Sequence, residues 1–246
     1  MTRSWIARIA IAVLLFGSSA ATSGEAHWSY SGAQGPDQWA KLSPKNAACA
    51  GMNQSPIDLT GFIEADLAPL EFSYRAGGDD VVNNGHTVQV GYAKGSTVTV
   101  DGIPFELVQF HFHAPSENLI EGKSFPLEAH FVHADRDGNL AVVALLFTEG
   151  EENPALAEIW RALPKKEGEK ERLSPPFAAE VLLPADRDYY RYSGSLTTPP
   201  CTEGVRWLIM KQSATASRGQ IDAFSRILHE HNNRPVQPIH GRPVLK

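Results

Sequence analysis

Short runs of apolar residues, or of alternating apolar and polar residues, recur from residue 56 onward between Gly, Asn and Asp residues that favour turns. Runs of this length that are rich in Val and Phe are typical of strands. Six strands are predicted, at 86–92, 96–102, 105–113, 127–133, 139–147 and 205–211. The pattern therefore predicts a protein made mostly of strands.

Two segments carry the apolar spacing of an amphipathic helix. The first opens at Asn153-Pro154 and ends at Pro164, and the second runs from about Ser217 to His229. The predicted inner face of the second helix consists of Ile221, Phe224 and Leu228. Since no internal repeat and no Ser/Gly-rich linker divides the chain, we predict one domain.

The first 20 residues have a different pattern from the rest. Two arginines precede an apolar run at 9–16, and small residues follow at 17–21, which is typical of a secretory signal cleaved near Ala20 or Ala21. The alternative is a membrane anchor, but the run is far shorter than the roughly 20 apolar residues that a span needs. No other segment is long enough. We expect an exported protein, periplasmic or secreted, whose single domain is 21–246.

Composition narrows the possible partners. With 42% hydrophobic and 20% charged residues the chain is an ordinary globular protein, and a net charge of −6 with no basic patch argues against a nucleic-acid partner. Export also bears on the two cysteines, Cys49 and Cys201. In an oxidising compartment they are most simply a disulfide, although two free buried thiols are the alternative.

Two histidines stand one residue apart in the strand predicted at 105–113. Because side chains alternate faces, His111 and His113 point the same way, about 6.5–7 Å apart along the strand. The same face is predicted to carry Phe105, Leu107 and Gln109, and the other Glu106, Val108, Phe110 and Phe112. A second such pair, His229 and His231, falls at a helix end, where residues two apart do not face each other. We expect that pair at the surface.

A third imidazole is available on the next predicted strand, at His130. Glu128 shares its face and can reach one ring nitrogen, as Gln109 can for His111, which is the outer support that a metal-binding histidine needs. Three neutral imidazoles leave one tetrahedral position open, which is the arrangement of a catalytic zinc site. From spacing alone, hydrogen-bonded sheet histidines without a metal are the alternative.

Six motifs, taken together, identify a family. In chain order they are QSPIDL (54–59), NNGH (83–86), QFHFHAPSEN (109–118), LEAHFVH (127–133), SGSLTTPPC (193–201) and NNRPVQP (232–238). They strongly resemble the α-class carbonic anhydrases, of the exported bacterial type, over roughly residues 27 to 243. The resemblance implies a mainly β (α+β) fold, built on a large central, mostly antiparallel twisted sheet with a few peripheral helices.

The resemblance also implies a metal centre. The implied Zn²⁺ ligands are His111, His113 and His130. Their implied hydrogen-bond partners are Gln109, Glu128 and the main chain near Asn232. The implied activity is the reversible hydration of carbon dioxide to bicarbonate and a proton, by attack of zinc-bound hydroxide.

Further residues take roles by the same resemblance. The Thr197 hydroxyl accepts from the hydroxide and donates to Glu117, which orients the attack, while Thr198 lies beside bicarbonate. The implied apolar wall for carbon dioxide is Val132, Val142, Leu196, Val205 and Trp207. His86 resembles the proton shuttle, although its local sequence alone favours a simple turn residue.

Two other functions compete with this interpretation. A metal-free carbonic-anhydrase-like binding module would have lost a ligand histidine, and all three are present here. A zinc hydrolase acting on esters would need a general base beside the metal, whereas Glu117 is the implied partner of Thr197. Besides the small-molecule substrate, we expect sulfonamide and anion inhibitors to bind. A homodimer is left open.

Overall fold

The computed structural model describes residues 27–246, so the predicted export signal lies outside the described residues. The strands are β1 Asp58–Leu59, β2 Glu71–Ser73, β3 Gly78–Asn83, β4 Val88–Tyr92, β5 Thr97–Val100, β6 Ile103–His113, β7 Leu119–Ile120, β8 Leu127–Ala134, β9 Leu140–Glu149, β10 Lys170–Phe177, β11 Tyr189–Ser195, β12 Glu203–Met210 and β13 Ala214–Ala216. The helices are α1 Trp39–Leu42, α2 Pro154–Trp160 and α3 Arg218–Leu228, with 3₁₀ turns at Gly32–Gln34, Pro36–Gln38, Pro44–Ala50 and Ala179–Leu182.

One large sheet dominates the fold. Its main path runs β10-β3-β4-β6-β8-β9-β12-β11, with β2, β5 and β13 attached at its sides. Neighbours are antiparallel except where β12 and β13 run parallel to β9. The prediction of a mainly β fold on a large, mostly antiparallel sheet is therefore confirmed.

The six predicted strands are all present, as β4, β5, β6, β8, β9 and β12. The unpredicted strands include both ends of the main path, β10 and β11. An edge strand is paired on one side only and tolerates proline and exposed polar residues. β10 carries two prolines and is mostly exposed, which hides its strand character in the sequence.

Both predicted helices are present, and their first turns show why they start where they do. The Asn153 side chain accepts hydrogen bonds from two main-chain N–H groups of α2, and Ser217 forms a reciprocal capping box with Gln220 at α3. At the other end of α3, His229 takes the left-handed conformation that closes a helix. The inner face of α3 is buried as predicted.

The sheet separates two apolar clusters. Alternate residues of β9 and β12 belong to different clusters, since Val143 and Leu208 pack with α2 and α3 while Val142 and Trp207 pack on the opposite side. This second side also carries His130, whose ring lies against Trp207. No helix among residues 27–246 is long and apolar enough to cross a membrane.

The prediction that side chains alternate strictly between the two faces along β6 is wrong. Between Leu107 and Gln109 the register against β8 shifts, so Val108 is an extra residue and is 49% exposed. This β-bulge exchanges the two faces. Phe105 and Leu107 consequently pack in the helix-covered cluster with the residues predicted to oppose them, Phe110 and Phe112.

The predicted disulfide is present. Cys49 and Cys201 are bonded across 152 residues of sequence and pack against the buried Trp39. The bridge fastens the N-terminal segment to the turn that follows Thr197. In the chain-entropy view, a closed loop of this length stabilises a protein by at most roughly 5 kcal/mol.

Reducing this disulfide is expected to lower the free energy of unfolding by about 2–5 kcal/mol. The measurement is urea unfolding with and without reductant. As a control, the Cys49→Ser/Cys201→Ser double variant should match reduced wild type and should not respond to reductant. Equal midpoints for oxidised and reduced wild type would contradict the expectation.

Candidate functional site

Three histidines from β6 and β8 converge on the side of the sheet away from α2 and α3. His111 lies directly opposite His130 in the antiparallel register, and His113 follows two residues later on the same face. One nitrogen from each ring lies within 4.8 Å of the others. His113 and His130 are buried and His111 is partly exposed, so the cluster has one side that solvent reaches.

Each of these imidazoles is oriented through its other nitrogen, which faces an oxygen acceptor. The contacts are His111 Nδ1 to Gln109 Oε1 at 2.8 Å, His113 Nδ1 to the Asn232 carbonyl at 2.6 Å, and His130 Nε2 to Glu128 Oε1 at 2.9 Å. An acceptor at that position fixes the proton there and leaves the opposite nitrogen as a lone-pair donor. The three donor atoms are therefore Nε2 of His111, Nε2 of His113 and Nδ1 of His130.

The residues present fit a divalent zinc ion. Three imidazole nitrogens are the donor set of catalytic zinc sites. The free Nε2 of His113 is buried without a hydrogen-bond partner, as expected of an atom meant for a metal. Burial holds the pKa of His111 and of His130 well below the ordinary value, so both rings are neutral, as ligands must be.

Glu117 is a buried carboxyl beside the cluster. Its Oε1 accepts from the main-chain N–H of Arg234 at 2.8 Å, and its Oε2 lies 3.5 Å from His113 Nε2 and 3.9 Å from His130 Nδ1. Burial raises the pKa of Glu117 to about 8. The Arg234 N–H and the Thr197 side chain act in the opposite direction and lower this pKa. Among the described residues, Oε2 has no hydrogen-bond donor. The Thr197 side chain is one of the groups that lower this pKa, so it lies close to the Glu117 carboxyl.

His86 stands apart from the three histidines, next to aromatic residues that the sequence reasoning assigned no role. Its half-buried ring stacks on Trp28, with centroids 3.7 Å apart and planes within 10°, and Tyr30 lies 6.4 Å away. Burial lowers the pKa of His86 from its ordinary value, and His27 lowers it further. The Asn232 amide donates to the His86 carbonyl. One side chain therefore links the main chain of His86 to the segment that orients His113.

The five predicted wall residues lie together in one apolar cluster. Val142, Val205 and Trp207 are buried members, and Val132 and Leu196 pack against them. The Trp207 ring is 4.9 Å from the ring of His130. Thr198 is partly buried, and its carbonyl accepts from Cys201 N in the turn that follows. His229 and His231, predicted to be at the surface, are both exposed.

Comparisons with known proteins agree on one family. The family model of eukaryotic-type carbonic anhydrases matches residues 34–246. A carbonic anhydrase of Pectobacterium atrosepticum is 48% identical over 228 residues, covering 92% of this chain and 93% of the relative. One of Neisseria gonorrhoeae is 45% identical over 231 residues, covering 93% and 91%.

A solved structure extends the agreement to three dimensions. The α-carbonic anhydrase of Thermovibrio ammonificans, in complex with the inhibitor sulfanilamide, matches with a TM-score of 0.89 at 50% identity, covering 91% of this chain and 100% of that chain. The chain therefore belongs to the α-carbonic anhydrase family. It is an enzyme of that family.

His130→Ala is expected to empty the metal centre, because the remaining two imidazoles offer an incomplete donor set. Zinc content per chain should fall from one ion to almost none, measured by elemental analysis after dialysis. His231→Ala, which removes an exposed imidazole, is the control and should keep its zinc. A His130→Ala variant with full zinc content would show that the ligands are other residues.

Proposed function

We propose that this chain catalyses the reversible hydration of carbon dioxide to bicarbonate and a proton, with Zn²⁺ held by His111, His113 and His130. The observation that carries the proposal is the convergence of three imidazoles whose remaining nitrogens are all held by acceptors. A bound zinc ion would lower the pKa of a coordinated water towards neutrality, for which carbonic anhydrase is the standard example.

The apolar cluster beside His130 supplies the place for carbon dioxide. Val142 and Trp207 are buried there, and neither side chain carries a charge. An uncharged substrate without a dipole gains most from a surface of this kind, which also keeps competing water away. The wall therefore holds carbon dioxide close to the free nitrogens of the histidines.

Thr197 and Glu117 orient the reacting oxygen in this proposal. The Thr197 hydroxyl accepts from that oxygen and donates to Glu117, whose other carboxyl oxygen is held by Arg234 N–H. Once Thr197 has a fixed acceptor, its own lone pair has a fixed direction. Orientation of this kind lowers the activation free energy, because less entropy is lost in reaching the reactive geometry. Thr198 lies beside the product.

His86 carries the product proton to solvent. A group for this task must titrate near neutrality and stand between the site and the exterior. His86 is half-buried, and its main chain is tied by Asn232 to the segment behind His113. Its lowered pKa favours release of the proton once it has been received.

The proposal extends to partners and location. A relative was solved with sulfanilamide, and we expect sulfonamides and small anions to inhibit this chain at the open metal position. Export to the periplasm or the exterior is supported by the N-terminal pattern and by the disulfide. Residues 21–246 are proposed to form one domain, since one sheet joins strands from β2 to β13.

The direct test is carbon dioxide hydration before and after chelation of the purified protein, with zinc measured in parallel. Activity should vanish with the metal and return when zinc is added back. Full activity in metal-free protein would exclude the proposal. No zinc and no activity would favour the binding module, and efficient ester hydrolysis with negligible hydration would favour the hydrolase.

His86→Ala is expected to lower kcat by about 10- to 100-fold while kcat/KM stays nearly constant, because proton release follows the chemical step. Added imidazole buffer should restore part of the loss. His229→Ala, at an exposed histidine, is the matched control and should behave as wild type. If kcat/KM fell as far as kcat and buffer gave no rescue, His86 would not be the shuttle.

A further inference from the structure

The carboxylate of Glu128, which faces His130, is held by an unusually complete set of donors. Its Oε1 accepts from His130 Nε2 at 2.9 Å and from Asn118 Nδ2 at 2.7 Å. Its Oε2 accepts from the main-chain N–H groups of Glu117 at 2.7 Å and of Asn118 at 2.9 Å. Two of the four donors therefore come from Asn118, a residue with no assigned role.

The Asn118 amide has a fixed orientation. Its Oδ1 accepts from the hydroxyl of Tyr192 at 3.0 Å, so its Nδ2 must be the atom that faces the carboxylate. Asn118 is completely buried and Tyr192 is almost so. No solvent is available there to replace a missing donor, and a half-satisfied network in such a place loses its geometry.

Tyr192 is itself held from two sides. Its hydroxyl is 3.1 Å from Ser55 Oγ, which accepts from Ser195 N–H. Its ring stacks on Trp207 with the planes within 8°. The phenol has one proton, and while that proton goes to Asn118 the Ser55 hydroxyl is free to donate to the phenol oxygen. A continuous buried chain thus runs from Ser55 through Tyr192, Asn118 and Glu128 to His130.

We propose that Asn118 and Tyr192 are positioning residues that aim Glu128 Oε1 at His130 Nε2 and thereby set the affinity of the site for zinc. Without the Asn118 amide, Oε1 keeps only the His130 donor, and the carboxylate is held against rotation mainly through the two main-chain donors on Oε2. The acceptor that keeps His130 Nδ1 turned towards the other two imidazoles is then held less firmly. The inference rests on the proposed metal centre.

The test measures zinc dissociation constants by competition with a chromophoric chelator, for wild type and two variants. Asn118→Leu keeps the side-chain volume and the main-chain donor but removes the amide. Its zinc dissociation constant should rise about 10-fold or more, the size typical of lost support behind a metal ligand. Tyr192→Phe removes one hydroxyl and should raise the constant by a smaller factor, about 2- to 5-fold.

Tyr74→Phe is the matched control for Tyr192→Phe. The Tyr74 hydroxyl also bonds to a buried histidine of β8, His133, at 2.5 Å, but His133 is not part of the metal cluster. This variant should keep the wild-type zinc dissociation constant even if it is less stable. Urea unfolding of each metal-free variant separates loss of stability from loss of affinity.

Unchanged zinc affinity in Asn118→Leu and Tyr192→Phe, with lower stability of the metal-free protein, would show that both residues are merely structural and would overturn the inference. If Asn118→Leu does not fold, Tyr192→Phe against Tyr74→Phe decides the question. A wild-type chain that binds no zinc would overturn the proposed metal centre and this inference together. Normal wild-type binding with unaffected variants overturns the inference alone.

Discussion

The register between β6 and β8 is the constraint on which the candidate site depends. It sets His111 directly opposite His130, and a slip by one residue would turn one of them to the other face of the sheet. The bulge at Val108 makes this register compatible with the core. It lets Leu107 pack under the helices while Gln109, two residues later, faces the metal cluster. Core and site thus share one strand without competing for a face.

Buried charge is the second constraint, and hydrogen bonds of Arg234 satisfy much of it. Its main-chain N–H holds Glu117, and its guanidinium donates to the Cys49 carbonyl, to Gln54 Oε1 and to the Ser55 carbonyl. A buried guanidinium is tolerated when most of its donors are used in this way, and of the Arg234 nitrogens only Nε lacks a partner among the described residues. The same contacts fasten the segment around the disulfide to the carboxyl beside the histidines. The rigidity of the site therefore depends on a residue that faces away from it.

The local pattern predicts the central strands, both helices and the convergent histidine pair, because periodicity and turn residues report on short stretches of chain. The pattern does not predict the bulge at Val108, since alternation assumes that no residue is inserted. The roles of Asn118 and Arg234 are not predicted either, because tertiary packing sets their partners. Arg234, for example, donates to Gln54, which is 180 residues away in the sequence. Both residues lie inside the motifs that carry the family resemblance. A buried polar residue within such a motif is the signal that would have found them.

The segment that completes the surroundings of the histidines comes late in the chain, and this has a consequence for the order of assembly. Synthesis proceeds from the N-terminus, so β6 and β8 exist as sequence long before Asn232 and Arg234 are added. Until then His113 has no carbonyl behind its Nδ1, and Glu117 has no main-chain donor from Arg234. A growing chain therefore presents His113 without its final orientation, whereas His111 and His130 already have their acceptors on β6 and β8. The proposed site is complete only when this late segment has packed behind His113 and Glu117.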